Sequence, residues 1–177
     1  MTDFYKTLNL QGSSIGNHEF DFGPAFLDNY LATKGSTSLA ANLLSETGET
    51  SFLPNTKETE IYDLDGIKLG VIGLSTLETP QSTSGFSSSD PEIRFPDYQF
   101  IDYKDVVIKK AQELRDRGAN AVVIVSHVGN RCPQNSTYDV RTNETEQEAC
   151  DPDDEIIKLL DSLPEGTVDG VVEGHRH

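Results

Sequence analysis

Apolar and polar positions recur along this chain in two different periods, and the change from one to the other marks out its elements. Thr59 to Leu64 alternates, Asp65-Gly66 supplies a tight turn, and Ile67 to Leu74 is again apolar. Together they predict a β-hairpin. Pro24 suits the first turn of a helix, Phe26, Leu27, Tyr30 and Leu31 follow at helical spacing from Ala25 to Lys34, and Gly35 is a natural stop. The same spacing predicts helices from Tyr103 to Gly118 (Val106, Val107, Ile108, Ala111, Leu114) and from Pro152 to Leu163 (Ile156, Ile157, Leu159, Leu160). A shorter helical spacing runs over residues 4–9. Gly12 to Ile15 reads as a short extended piece, Ser38 to Leu44 as a buried strand, and Ala121 to Ser126 and Val168 to Glu173 as short strands. Residues 75–100 and 129–152 carry no period. The first stretch, rich in Ser, Thr and Pro, is either an ordered functional loop or a mobile surface excursion.

Helix, strand and histidine, followed by helix, strand and histidine, is a repeated βα layout. It sets imidazoles at the carboxyl ends of adjacent strands, where open α/β sheets place their ligands. The composition agrees: 177 residues, 35% hydrophobic and 25% charged, suit one α/β domain spanning 1–177 with a sizeable core. No internal repeat, coiled coil or linker divides it.

The net charge of −16 argues against a nucleic-acid partner or a polybasic membrane patch, since phosphate backbones need clustered Lys and Arg. It leaves a small phosphate ligand open, because bound metal ions can reverse the local field. No apolar run approaches the ~20 residues of a membrane helix, and Met1-Thr2-Asp3-Phe4-Tyr5-Lys6 lacks the form of a signal peptide. Cys132 and Cys150 flank two sequons, Asn135-Ser136-Thr137 and Asn143-Glu144-Thr145. These are either two free thiols with chance Asn-x-Thr matches or a glycosylated loop closed by a Cys132–Cys150 disulfide. The coincidence in one loop favours the second reading, and with it an extracellular or secreted protein.

The densest chemistry is Gly16-Asn17-His18-Glu19-Phe20-Asp21-Phe22-Gly23. The remaining histidines are His127, after Val122-Val123-Ile124-Val125-Ser126, and His175 and His177, after Gly170-Val171-Val172-Glu173-Gly174. None of the four falls in a segment with helical spacing. A His-x-His pair on a strand puts both rings on one face, and imidazole with carboxylate or amide oxygen suits Zn²⁺, Mn²⁺ or Fe.

Asn17-His18-x-x-Asp21 within its glycine frame resembles the signature of the 5'-nucleotidase family of the calcineurin-like metallophosphoesterases. Ser38 to Leu44 resembles that family's Ala-Ala-Asn strand, Thr79-Pro80 its Thr-Pro loop, Ser126-His127 its lone metal histidine, and Gly174-His175-Arg176-His177 its closing Gly-His-x-His block. The resemblance implies a layered αββα sandwich and a two-metal site hydrolysing a small phosphorylated substrate, most simply a nucleoside 5'-monophosphate. It implies Asn17, His127 and His175 as ligands of one metal (Zn, Mn or Fe) and His177 as a ligand of the other. It further implies His18 as the catalytic histidine and Asp21 as its orienting partner. The family pattern opens with Asp-x-His and Gly-Asp, and neither occurs in this sequence. The resemblance therefore implies an incomplete domain, without the first strands and without the C-terminal substrate domain. The alternative is a non-catalytic structural or binding protein on a degenerate phosphoesterase domain.

Overall fold

The computed structural model of the protein describes residues 7–129 and 151–175. The architecture is mixed α/β, built as two halves that meet along a seam. In chain order the elements are β1 (Gly12–Ser14), a 3₁₀ turn (Asn17–Phe20), α1 (Pro24–Thr33), β2 (Thr37–Leu39), β3 (Leu43–Leu44), β4 (Thr56–Lys57), β5 (Thr59–Leu64) and β6 (Ile67–Ser75). They continue with α2 (Thr79–Ser82), β7 (Gln99–Phe100), α3 (Tyr103–Asp116), β8 (Ala121–His127), α4 (Glu155–Ser162) and β9 (Gly170–Glu173).

The first half is aliphatic. Its sheet has the order β5-β6-β8-β9, with β5 antiparallel to β6 and the β6-β8-β9 strands parallel. The β5–β6 turn places Asp65 at φ 53° and Gly66 at φ 95°, the left-handed pair that matches strand twist in a two-residue hairpin. Ile72, Leu74, Val122 and Ile124 from the sheet, Val107 and Leu114 from α3, and Ile156 and Leu159 from α4 form one buried cluster. The expected helix from Pro152 to Leu163 is shorter, because residues 151–154 turn and Asp154 stands at the helix N-cap.

The second half is aromatic. Its parallel sheet has the order β1-β2-β4, and β3 pairs antiparallel with β7. Phe20 is fully buried, its ring centroid 5.2 Å from Phe95, 5.6 Å from Phe86 and 5.8 Å from Phe100. Leu27 and Leu31 of α1 complete this cluster. Residues 75–100 are thus not aperiodic throughout: they hold α2, a 3₁₀ turn at Ser84–Phe86 and β7, and they supply three of these aromatic side chains.

The expected single strand from Ser38 to Leu44 is two strands in two sheets. Between them the chain crosses the seam: Ala40 N–H donates to Lys57 O and Ala41 N–H to Gly73 O at 2.7 Å. Ala40 buries into the aromatic cluster and Ala41 into the aliphatic one. Asn42, fully buried, uses its amide as a backbone substitute. Its Nδ2 donates to Ser75 O at 2.8 Å and its Oδ1 accepts from Ser75 N at 2.9 Å. The halves approach so closely that a Cβ on Gly73 would lie 2.2 Å from Leu39 Cβ.

Candidate active site

The site lies where the seam reaches the carboxyl ends of the strands. His127 is the last residue of β8, paired in register with Ser75 of β6. Ser75 Oγ donates to Ile15 O at 2.8 Å, which ties the start of the Gly16–Gly23 stretch to the neighbouring strand end. β9 ends beside β8 with Ser126 opposite Glu173, and Gly174 N–H donates to Ser126 O at 3.1 Å. Parallel pairing therefore brings His175 beside His127, with ring centroids 4.9 Å apart.

From the other side of the seam, buried Asn17 points its Oδ1 at His127 Nε2, 2.9 Å away. That approach depends on Gly16. A Cβ there would stand 2.9 Å from carbons of the His127 ring and 2.9 Å from Glu19 Oε2. Glu19 is absorbed locally, its Oε2 accepting from Gly16 N at 2.8 Å to close the 3₁₀ turn. His18 lies on that turn, within its glycine frame. The turn throws its ring outward, with the side chain 74% exposed, while Nδ1 sits 2.7 Å from Asp21 Oδ2. The carboxylate fixes the ring's orientation and leaves Nε2 as the nitrogen that can meet a ligand.

The pairing of both rings on one strand face does not carry over to His175. Its φ is +89°, so it stands past the strand end in a left-handed conformation. His177, Cys132, Cys150, Asn135 and Asn143 lie outside the described residues, as does most of the 129–152 stretch. One residue passed over in the sequence is Glu78, whose Oε2 is 3.5 Å from His175 Nε2. Its position in Thr76-Leu77-Glu78-Thr79-Pro80, beside the Thr-Pro loop, was the available signal.

Comparison with known proteins identifies the fold and its family. No protein-family model matches the chain. The sequence is 30% identical over 175 residues to the 5'-nucleotidase of Vibrio cholerae, across 95% of this chain and 26% of that protein. It is 29% identical over 193 residues to the cell wall protein Lmo0130 of Listeria monocytogenes, across 97% of this chain and 23% of that protein. The structure of the 5'-nucleotidase precursor from Thermus thermophilus superposes over 98% of this chain and 27% of its own, with a TM-score of 0.70 at 24% identity. The chain belongs to the 5'-nucleotidase family. The calcineurin-like phosphoesterase YfkN from Bacillus subtilis shares the fold, with a TM-score of 0.65 and 19% identity over 98% of this chain and 47% of its own. The layered α/β architecture expected from the sequence is thus the family's fold, and the family is one of hydrolases. The chain spans about a quarter of the length of the two curated relatives. No described helix is long and apolar enough to cross a membrane.

The donors suit the divalent metals that relatives of this fold generally use. An amide oxygen and two imidazoles converge across the seam, and Gly16 leaves the room that a side chain would fill. That donor set fits one borderline divalent ion.

Proposed function

We propose that this domain belongs to a metal-dependent phosphomonoester hydrolase acting on nucleotides, most simply nucleoside 5'-monophosphates. One observation carries the reading: the exposed His18–Asp21 pair stands on the same short turn as Asn17, which faces His127. Asn17, His127 and His175 would hold one divalent metal, and His177 would contribute to a second. Bound there, the metals would lower the pKa of a coordinated water and polarise phosphate oxygens. His18 Nε2 would meet the phosphoryl group or the leaving oxygen, and Asp21 keeps the ring turned that way. The nucleotide hydrolases among the relatives and the shared fold support this reading. We further place the protein outside the cytoplasm, its Cys132–Cys150 loop bridged and its sequons glycosylated. A Listeria relative that is a cell wall protein supports that placement.

A second reading, a non-catalytic binding or structural domain, is favoured by the Listeria relative, which is named as a cell wall protein rather than as a hydrolase. Phosphate release from nucleoside 5'-monophosphates with added Mn²⁺ or Zn²⁺, compared with the His18→Ala protein, separates the two. Metal-dependent release lost in the variant supports the enzyme. No stoichiometric metal and no release supports the scaffold.

A further inference from the structure

We propose that Glu78 is a positioning residue that holds the His175 ring in one orientation and tautomer, and thereby sets the metal affinity of the site. The inference rests on the metal-binding reading above and extends it to a residue outside the ligand set.

His175 needs such a partner. It stands beyond β9 at φ +89°, so strand geometry does not aim its ring. The side chain is only 13% exposed, and Glu78 Oε2 lies at ion-pair distance, 3.5 Å from its Nε2. An imidazole nitrogen facing a carboxylate is held as an N–H donor, which leaves the lone pair on the other nitrogen. The carboxylate would thus select Nδ1 of His175 for the metal. His127 Nε2 faces the amide oxygen of Asn17, and the two neighbouring rings are tilted 57° to each other.

Glu78 is itself held in place. Its N–H donates to Thr76 Oγ1 at 3.1 Å, and Thr79 Oγ1 donates to Thr76 O at 2.8 Å. Tyr103 OH accepts from Leu77 N at 2.9 Å. Thr76 Oγ1 and Tyr103 OH both donate to Glu155 Oε2 at 3.0 Å, at the start of α4. Burial and the adjacent Glu155 carboxylate push the Tyr103 phenol far up, so it remains a donor. Four hydroxyl and carboxylate groups from α3, α4 and its own turn thus anchor this loop in addition to the Glu78 carboxylate. That side chain is 46% exposed and turned to His175.

The test is Mn²⁺ titration by calorimetry on the wild-type protein and on His127→Ala, Glu78→Ala and Glu78→Gln, with thermal melts of each. Wild type should bind, and His127→Ala should lose binding. Glu78→Ala should bind roughly 10–100-fold more weakly at an unchanged melting temperature. Glu78→Gln, which keeps an acceptor oxygen, should recover most of the affinity. In the metal-free protein, nitrogen NMR should find His175 protonated on Nε2 in wild type and mixed between tautomers in Glu78→Ala. Wild-type affinity in Glu78→Ala, with binding lost in His127→Ala, would overturn the role of Glu78 and leave the metal site standing. Equal weakening in Glu78→Ala and Glu78→Gln with lowered melting temperatures would make Glu78 merely structural. No Mn²⁺ binding by wild type would overturn both readings.

Discussion

The two halves of the molecule use opposite means to deliver residues to one place. In the aliphatic half, position follows from register. β6, β8 and β9 are parallel neighbours, so Ser75, His127 and the turn after Glu173 arrive together at one edge. In the aromatic half there is little regular structure around the site. Asn17, His18 and Asp21 stand on a 3₁₀ turn whose Phe20 plugs into rings from residues 86–100. A ladder of backbone hydrogen bonds places the first set, and side-chain packing places the second. Each half can therefore be perturbed separately.

Phe20→Ala should have the largest effect. Removing a fully buried ring with three aromatic neighbours should cost about 3–5 kcal/mol, read as a lower urea midpoint. Hydrogen exchange would sharpen the contrast. Amides of residues 15–21 should lose protection first, while those of β6 and β8 keep theirs. Equal loss in β8 would show one cooperative unit and end the distinction.

His18→Ala tests the chemistry of the aromatic half without its packing. The side chain is 74% exposed, so stability should change by less than about 0.5 kcal/mol. Phosphate release should fall by roughly 10²–10⁴, and Mn²⁺ binding should persist. Loss of metal with His18 would make it a ligand, not the residue that meets the phosphoryl group. Asn17→Ala should do the reverse, weakening the metal first.

Asn42→Ala tests the seam. The Asn42 amide replaces a strand partner for Ser75, and Ser75 in turn holds Ile15. Removing it strands a buried N–H and carbonyl and should cost about 1–3 kcal/mol by chemical denaturation. Metal affinity should fall as well, since Asn17 and His127 then lose their common reference. Unchanged affinity would mean that the halves are aligned elsewhere, with Gly73 against Leu39 the alternative contact.

The same contrast explains what could be read from the chain beforehand. Helices α1 and α3, the Asp65-Gly66 hairpin and the histidines at the ends of β8 and β9 follow from periodicity and turn chemistry, which are local. The crossing at residues 40–42 could not be read that way. Ser38 to Leu43 is buried throughout although Ala40 and Ala41 bury into different clusters, and that pattern is the same as for one buried strand. Residues 75–100 misled for a related reason. Ser, Thr and Pro are loop formers on average, but here Thr76, Thr79 and Thr83 use their hydroxyls to brace the backbone. The site residues announced themselves by type and spacing. Glu78 was marked only by its place beside Thr79-Pro80, which does not reveal the His175 ring that meets it from far along the chain.

The smallest expected effect asks how firmly register in the aliphatic half is set. Asp169 opens the β8–β9 pairing. Its N–H donates to Val122 O at 2.7 Å, and its Oδ2 accepts from Val122 N at 2.6 Å and from Arg115 Nη2 at 3.0 Å. The Val122 N–H, with Arg115 adding to it, holds the Asp169 carboxyl below the usual carboxylate range. A carboxyl with a lower pKa in the folded state gives its stabilisation in full above the unfolded value of about 3.9. That stabilisation is lost as pH falls through the folded value. Asp169→Asn should therefore flatten the acid limb of a stability-against-pH curve below about pH 4. At neutral pH it should cost less than about 1 kcal/mol, because a side chain 46% exposed is well screened. Mn²⁺ affinity should not change, since four consecutive residue pairs from Val123–Gly170 to Ser126–Glu173 still hold the strands in step. A drop in affinity with Asp169→Asn would show that a single ion pair, rather than the ladder, places His175 beside His127. The aliphatic half would then depend on side chains as much as the aromatic half does.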